Sequence, residues 1–116
     1  MKKDLVAFQL VKFLEARGVE KIFGLCGHTV IGFLDALKES SIRFVSVRHE
    51  QIAAHAADGY SRGKGCQVPG VLMTHLGPGL ANATTGVAEA SLNAVPMVVI
   101  AGDVPSCYFG RHPHQE

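Results

Sequence analysis

The sequence predicts an α/β fold of three layers, with helices on both faces of a mainly parallel sheet. Short runs rich in β-branched residues alternate along the chain with longer segments whose apolar residues recur at helical spacing. The last strand-like run, 98–100, is Val-Val-Ile without a polar residue, as expected of a strand buried on both faces. Strands that are joined by helices in this way pair in parallel through right-handed crossovers.

The first half of the chain predicts a helix and then a strand-helix unit. Residues 5–17 have apolar and polar side chains at helical spacing, and this helix stops at Gly18. Strand 21–25 then leads through the turn 26–28 into helix 29–39.

The rest of the chain repeats this pattern. Strand 43–47 precedes an alanine-rich helix that begins near Glu50 and ends at Gly63 or Gly65. The predicted order is completed by strand 70–74, the turn 77–79, helix 80–93 and strand 97–101. The polar segment 106–116 adds no further element. We therefore expect one domain, 1–116, that is incomplete at its carboxyl end and forms the front part of something longer.

Composition and charge argue against several classes of function. With 47% hydrophobic and 18% charged residues, the 116-residue chain is typical of one soluble globular domain. A net charge of +1 and 7% aromatic residues argue against a nucleic-acid partner. No apolar run is long enough to cross a membrane, and none resembles a signal peptide.

The cysteines and histidines do not form a metal-binding motif. Cys26, Cys66 and Cys107 are an odd and scattered set, which predicts reduced, buried thiols of a cytoplasmic protein. The histidines His112 and His114 lie two apart without a cluster of carboxylates or cysteines around them, so we expect no metal held by this chain.

Glycine turns follow three of the predicted strands, at 24–27, 77–79 and Gly102. The carboxyl ends of parallel strands share one edge of a sheet, and glycine lets the backbone approach a ligand there, so these turns predict a binding cleft. Ordinary strand-to-helix connections also use glycine. No phosphate-binding fingerprint occurs, which disfavours a generic nucleotide-binding domain.

Glu50 lies where the second strand meets its helix, at the same predicted edge. A carboxylate in a first helical turn is stabilised by the helix dipole, so the residue type alone fits a cap or a solvated side chain as well as a chemical role. The surrounding sequence favours the chemical role.

Four blocks of sequence occur in order along the chain. They are Gly-Val-Glu-Lys-Ile-Phe-Gly at 18–24 with Gly27, Val-Arg-His-Glu at 47–50 with Ala-Asp-Gly-Tyr-Ser-Arg at 57–62, Gly-Pro-Gly-Leu-Ala-Asn at 77–82, and 96–102 followed by Val-Pro. With them the whole chain resembles the pyrimidine-binding domain of thiamine-diphosphate-dependent enzymes, in particular the acetolactate synthase, benzoylformate decarboxylase and pyruvate oxidase group. The resemblance implies the thiamine-diphosphate-binding fold.

The resemblance also implies a role for Glu50 as the family's activating glutamate. This residue hydrogen-bonds N1′ of the aminopyrimidine ring of thiamine diphosphate and thereby promotes loss of the thiazolium C2 proton. Cys26 replaces the proline that is usual in the family. Further cofactor contacts are implied at Gly27, Cys26, Gly77, Pro78 and Asn82.

Two histidines are candidate catalytic residues on the same basis. His75 lies at the position that resembles the catalytic histidine of benzoylformate decarboxylase, where synthases more often carry threonine. His28 lies where decarboxylases place polar groups that contact substrate. Imidazole can move protons near neutral pH, although a hydrogen-bonded turn histidine is the alternative for both. The ending Gln115-Glu116 resembles the family's Phe-Gln-Glu, with His114 in place of phenylalanine, so Gln115 and His114 are candidate substrate contacts.

The implied activity is that of a lyase or transferase that decarboxylates a small 2-oxo acid and joins the product to a second carbonyl compound. Decarboxylation without this joining step and a non-catalytic assembly module are the alternatives.

In the family a separate domain, in the same or the partner subunit, binds the diphosphate and Mg²⁺, and its Gly-Asp-Gly motif does not occur here. We therefore expect the chain to be inactive alone and to form a homodimer or tetramer. The predicted contact is the small residues Ala53, Ala54, Ala56 and Ala57, and we expect His55 to pack within this helix.

Overall fold

The computed structural model describes residues 5–111 and 113–115, which form four α-helices and four strands in alternation. The elements are α1 (Val6–Ala16), β1 (Lys21–Gly24), α2 (Ile31–Leu37), β2 (Arg43–Ser46), α3 (Glu50–Gly63), β3 (Gly70–His75), α4 (Leu76–Leu92) and β4 (Met97–Gly102), with short 3₁₀ helices at His28–Val30 and Ser106–Tyr108. The predicted α/β class is confirmed, and most predicted boundaries agree with the structure to within about two residues.

The sheet is entirely parallel and has the strand order β2-β1-β3-β4. Phe23 of β1 lies between Val45 on one side and Leu72 on the other. From β1 the chain passes to β2 at one edge of the sheet, and from β3 it passes to β4 at the other edge. The strand order therefore reverses between β1 and β3. Open α/β sheets bind ligands beyond the carboxyl ends of the strands at such a point.

Helices cover both faces of the sheet and make it a three-layer structure. On one face, α1 and α2 bury Phe8, Leu14 and Phe33 against Ile22 and Met73. On the other face, α3 and α4 bury alanines against side chains such as Phe23 and Leu72. The connection from β1 to β2 and the connection from β3 to β4 run in opposite directions along the sheet. Because parallel crossovers have a single hand, the helices of these two connections lie on opposite faces.

Helices α3 and α4 pack closely because small residues line their contact. A Cβ added at Gly86 of α4 would lie 2.5 Å from Cβ of Ala54 in α3. Ala53, Ala54 and Ala57 are fully buried in this contact. The prediction that the alanines form a subunit contact is therefore wrong, because this helix face packs inside the domain. We expected His55 to pack or to make a helix contact. It is an exposed residue, so side-chain packing is wrong, while its backbone nitrogen lies beside Gly86 of α4.

Helix α4 begins at Leu76, four residues before its predicted start. Proline is tolerated in a first helical turn, where its missing N–H has no intrahelical acceptor, so Gly77, Pro78 and Gly79 continue the helix instead of preceding it. Leu76 is buried and has a φ of 56°, in the left-handed region that non-glycine residues rarely adopt. The backbone therefore turns sharply between β3 and α4.

The predicted burial of the cysteines is wrong. Cys26, Cys66 and Cys107 are free thiols, and all three are exposed. Cys26 follows the end of β1, Cys66 follows α3 with a φ of 58°, and Cys107 lies in a short 3₁₀ helix. Connections run over the surface, so the small apolar character of cysteine does not decide its burial at these positions.

Candidate functional site

The candidate site lies at the carboxyl edge of the sheet, where β1, β2 and β3 end. Glu50 is the first residue of α3 and is half-buried. Its helix is capped by His49, whose Nδ1 accepts a hydrogen bond from the backbone N–H of Gln51 at 3.2 Å. The cap satisfies one of the free N–H groups of the first turn, where acidic side chains are commonly found.

The Glu50 carboxylate is held by two residues of α4. Nδ2 of Asn82 donates a hydrogen bond to Oε2 of Glu50 at 3.1 Å. A Cβ added at Gly79 would lie 3.1 Å from Oε1 of the same carboxylate, closer than side chains ordinarily approach. The absence of a side chain at Gly79 therefore leaves space for the carboxylate, and Asn82 fixes its direction.

Thr74 places an unsatisfied hydroxyl beside this carboxylate. The residue is fully buried near the end of β3, and its Oγ1 has no hydrogen-bond partner among the residues that the structure describes. The Cβ of Thr74 lies 3.6 Å from the position that a Cβ of Gly79 would occupy, so Thr74 and Glu50 border the same point. Buried hydroxyls without a partner are uncommon in folded proteins, and they often accompany binding sites.

His75 and Thr29 meet beside the point where the strand order reverses. Nδ1 of His75 lies 2.8 Å from Oγ1 of Thr29, although the two residues are 46 apart in sequence. A Cβ at Gly27 would overlap the His75 ring, and a Cβ at Gly102 would overlap Oγ1 of Thr29. The two glycines therefore provide the space in which this pair fits.

His28 completes a pair of imidazoles. Its ring contacts that of His75 edge to face, with 4.6 Å between the ring centroids. Partial burial lowers the pKa of His75 below that of an ordinary histidine, the positive charges that His28 and His114 can carry lower it further, and the Glu50 carboxylate opposes the shift. His75 is therefore mainly neutral at pH 7.

The carboxyl-terminal segment returns to this edge. The backbone carbonyl of Gln115 accepts a hydrogen bond from the N–H of Gly77 at 3.3 Å, and Gln115 has a φ of 60°. His114 influences the pKa of His75. Cys26 is exposed in the turn that precedes Gly27. The predicted site residues are thus distributed around one edge of the sheet.

Two residues of this region were not among the sequence-based candidates. Thr29 was assigned to a helix start and Thr74 to a strand, where threonine is common, so neither residue type indicated a site. Their significance depends on contacts between distant segments. The only local signal was the position of both residues beside a predicted glycine turn.

Within residues 5–111 and 113–115, no group of three or more histidine, cysteine, aspartate or glutamate side chains could hold a metal ion. No helix in the described part of the chain is long and apolar enough to span a membrane. Arg62 and Asp58 form a pair four residues apart in the later turns of α3, away from this edge. Nε of Arg62 donates to Oδ2 of Asp58 at 2.8 Å, and this contact raises the pKa of Arg62.

Comparison with known proteins agrees with this architecture. The profile of the family described as thiamine pyrophosphate enzyme, N-terminal TPP binding domain, matches residues 5–116. The chain therefore belongs to this family.

Related proteins include large subunits of acetolactate synthase. The subunit of Buchnera aphidicola subsp. Acyrthosiphon pisum is 45% identical over 111 residues, which cover 95% of this chain and 19% of that protein. That of Haemophilus influenzae is 44% identical over 117 residues, covering 100% and 20% respectively. The isozyme 3 large subunit of Escherichia coli is 40% identical over 111 residues, covering 95% and 19%. The chain thus spans about a fifth of the length of these relatives.

Proposed function

We propose that this chain is the pyrimidine-binding part of a thiamine-diphosphate-dependent enzyme that decarboxylates a small 2-oxo acid and joins the product to a second carbonyl compound. The observation that carries the proposal is the arrangement of Glu50, which lies at a helix start, accepts a hydrogen bond from Asn82 and lies against Gly79, where no side chain displaces its carboxylate. The acetolactate synthase relatives support the class of reaction.

The residues at this edge fit the aminopyrimidine end of the cofactor. An aminopyrimidine presents ring nitrogens and an amino group, and it needs a carboxylate, further polar partners and a flat space. Glu50 supplies the carboxylate, and Thr74 supplies a buried hydroxyl that has no partner among residues 5–111 and 113–115. Gly79 has no side chain that would displace Oε1 of Glu50. By contrast, the described residues supply no ligand set for Mg²⁺.

Glu50 has the central role in the proposed mechanism. Thiamine diphosphate, when bound, would supply a nucleophilic carbon for the carbonyl group of the 2-oxo acid and a means of stabilising the negative charge left by decarboxylation. The protonated Glu50 carboxyl group would donate its proton to a ring nitrogen of the pyrimidine, and the resulting carboxylate would accept a hydrogen bond from the protonated nitrogen. Asn82 holds the carboxylate in one orientation, and this reduces the rearrangement needed for that proton transfer.

The remaining candidates line the same edge. His28 and His75 supply imidazoles next to the substrate, and His114 and Gln115 contribute substrate contacts from the returning segment. Gly27, Cys26, Gly77 and Pro78 contribute turn backbone that borders the cofactor. The hydrogen bond from Gly77 to Gln115 supports this grouping because it joins the returning segment to the start of α4.

The binding site for the diphosphate group and Mg²⁺ lies in another domain, in the same or the partner subunit, within a homodimer or tetramer. The large subunits that the chain matches are about five times its length, which leaves room for such a domain. The location in the cytoplasm remains a prediction.

A 2-oxo acid decarboxylase that does not join a second carbonyl compound is the second candidate. The contact between the rings of His28 and His75 favours it, because two imidazoles provide a route for protonating the product of decarboxylation. A non-catalytic assembly module is disfavoured, because such a module has no chemical need for the arrangement around Glu50.

The products of the assembled enzyme distinguish these functions. With thiamine diphosphate, Mg²⁺ and pyruvate as the first 2-oxo acid tested, carboligation yields acetolactate and simple decarboxylation yields acetaldehyde. A lack of turnover across a panel of 2-oxo acids would contradict the proposal. In a parallel binding measurement, the 116-residue chain should bind thiamine diphosphate and Mg²⁺ only weakly, and tight binding would contradict the assignment of the diphosphate site to another domain.

A further inference from the structure

The contact between Thr29 and His75 joins two strand ends. Thr29 lies in the 3₁₀ helix that follows β1, and His75 is the last residue of β3. Oγ1 of Thr29 and Nδ1 of His75 are 2.8 Å apart. A hydroxyl can donate to or accept from an imidazole nitrogen, so the direction of this hydrogen bond decides which ring nitrogen of His75 carries the proton.

The surroundings of Thr29 favour donation from the hydroxyl. If Oγ1 accepted from Nδ1–H, the hydroxyl hydrogen would need another acceptor, and the described residues supply none. Gly102 lies against Oγ1, since a Cβ added there would overlap it. Donation from Oγ1 to Nδ1 pairs the hydroxyl hydrogen within this half-buried contact and leaves the N–H of the ring at Nε2.

The ring of His75 is also fixed in position. Its Cγ, Nδ1 and Cδ2 lie against Gly27, and the ring of His28 packs edge to face. Nε2 lies at the opposite end of the ring and has no hydrogen-bond partner among residues 5–111 and 113–115. It is therefore available to a ligand.

We propose that Thr29 is a positioning residue for His75: its hydroxyl fixes the Nε2–H tautomer and makes the neutral ring a hydrogen-bond donor to the substrate carbonyl oxygen. The ring stabilises negative charge on that oxygen without losing its proton. The low pKa of His75 agrees with this role, since it keeps the ring neutral beside His28, His114 and Glu50. The substrate part rests on the proposed function, whereas the tautomer is a property of the protein alone.

Nuclear magnetic resonance of the ¹⁵N-labelled protein tests the tautomer directly. Long-range ¹H–¹⁵N correlations above pH 7 distinguish Nε2–H from Nδ1–H, and His75 is assigned by its absence from the spectrum of His75→Gln. We expect a single Nε2–H tautomer for His75 in the wild type and in Thr29→Ser. Thr29→Val should give a mixture, while Thr85→Val, the same change at an exposed position of α4, should not alter His75.

An Nδ1–H tautomer in the wild type would overturn the proposal, and so would an unchanged spectrum in Thr29→Val. The wild-type measurement decides the question even if Thr29→Val does not fold. None of these spectra requires cofactor or substrate, so they remain informative if the proposed function fails.

Kinetics of the assembled enzyme test the consequence. Loss of one oxyanion donor typically lowers kcat by about 10²–10³-fold, so His75→Ala should fall in this range. Thr29→Val should lower kcat by less than His75→Ala, with little change in KM, and Thr29→Ser should restore it. An unchanged kcat in Thr29→Val would overturn the role toward substrate. Failure of the proposed function would instead appear as full turnover in Glu50→Gln.

Discussion

The side-chain amide of Asn82 donates a hydrogen bond to Oε2 of Glu50 at 3.1 Å and so joins the first turn of α3 to the second turn of α4. The two residues are 32 apart in sequence. The other oxygen of the same carboxylate, Oε1, lies against Gly79, so both oxygens face α4. The geometry of the Glu50 side chain is therefore set by a neighbouring helix, and a change in that helix should alter activity without removing the carboxylate.

Asn82→Ala should reduce turnover of the assembled enzyme by about fivefold, because the loss of a hydrogen bond worth about 1 kcal/mol leaves the Glu50 carboxylate free to rotate. Stability should change little, since Asn82 is exposed. Asn93→Ala is the matched control, because Nδ2 of Asn93 contacts Glu89 at the other end of α4. Steady-state kinetics and thermal unfolding of both variants check this prediction. Equal losses of turnover would contradict it.

Gly79→Ala should separate stability from activity. Alanine in place of glycine within a helix typically adds about 0.5–1 kcal/mol of stability, but here its Cβ would press on Oε1 of Glu50. We expect the variant to unfold near the wild-type temperature and to have reduced turnover. Gly59→Ala, on α3, meets nothing within 4 Å and should be more stable than the wild type with unchanged turnover. If Gly79→Ala kept full turnover, the space at Gly79 would not matter for the carboxylate.

The pKa of His75 predicts how stability depends on pH. The folded protein holds this pKa below its ordinary value, so the unfolded chain binds the proton more readily. The free energy of unfolding should therefore be unaffected by His75 above pH of about 6.5 and should decrease as the pH falls through the depressed pKa. In His75→Gln this decrease should be smaller, while His55→Gln, at an exposed position of α3, should behave as the wild type. Denaturant titrations between pH 5 and 8 provide the measurement, and identical pH profiles for His75→Gln and the wild type would refute the assignment.

Arg62 should stabilise the protein mainly by pairing with a buried carboxylate. Asp58 is 8% exposed, its Oδ2 accepts from Arg62, and its Oδ1 has no partner in the described part of the chain. Arg62→Met leaves this carboxylate unpaired, so it should destabilise the fold more than the double variant Asp58→Leu/Arg62→Met. Chemical denaturation of the two single variants and the double variant gives the coupling energy. A value of zero would show that the pair contributes nothing.

The sequence was sufficient to predict the order of the elements because hydrophobic periodicity and glycine turns are local signals. It was also sufficient to place Glu50 at a strand-to-helix junction. The start of α4 was predicted late because Gly77-Pro78-Gly79 is typical of a turn, while in the structure the sharp change of direction occurs at Leu76.

The remaining errors and omissions concern tertiary contacts. The alanines of α3 predicted a surface for a second subunit, but the structure packs them against α4, where Gly86 allows close approach. Sequence spacing alone does not identify which neighbour covers a face of small residues. Likewise, the contacts that orient Glu50 and His75 join segments 32 and 46 residues apart. Asn82 was therefore predicted as a cofactor contact and not as the partner of Glu50, and Thr29 was not predicted at all.

The most direct test of the account is the rate at which thiamine diphosphate, bound to the assembled enzyme, exchanges its C2 hydrogen with deuterated solvent. We expect this rate to fall by at least about 10²-fold in Glu50→Gln, in the range that loss of general acid–base catalysis produces. Glu39→Gln, a change at an exposed residue just beyond α2, should retain the wild-type rate. Exchange at the wild-type rate in Glu50→Gln would contradict the assignment of Glu50 as the residue that activates the cofactor.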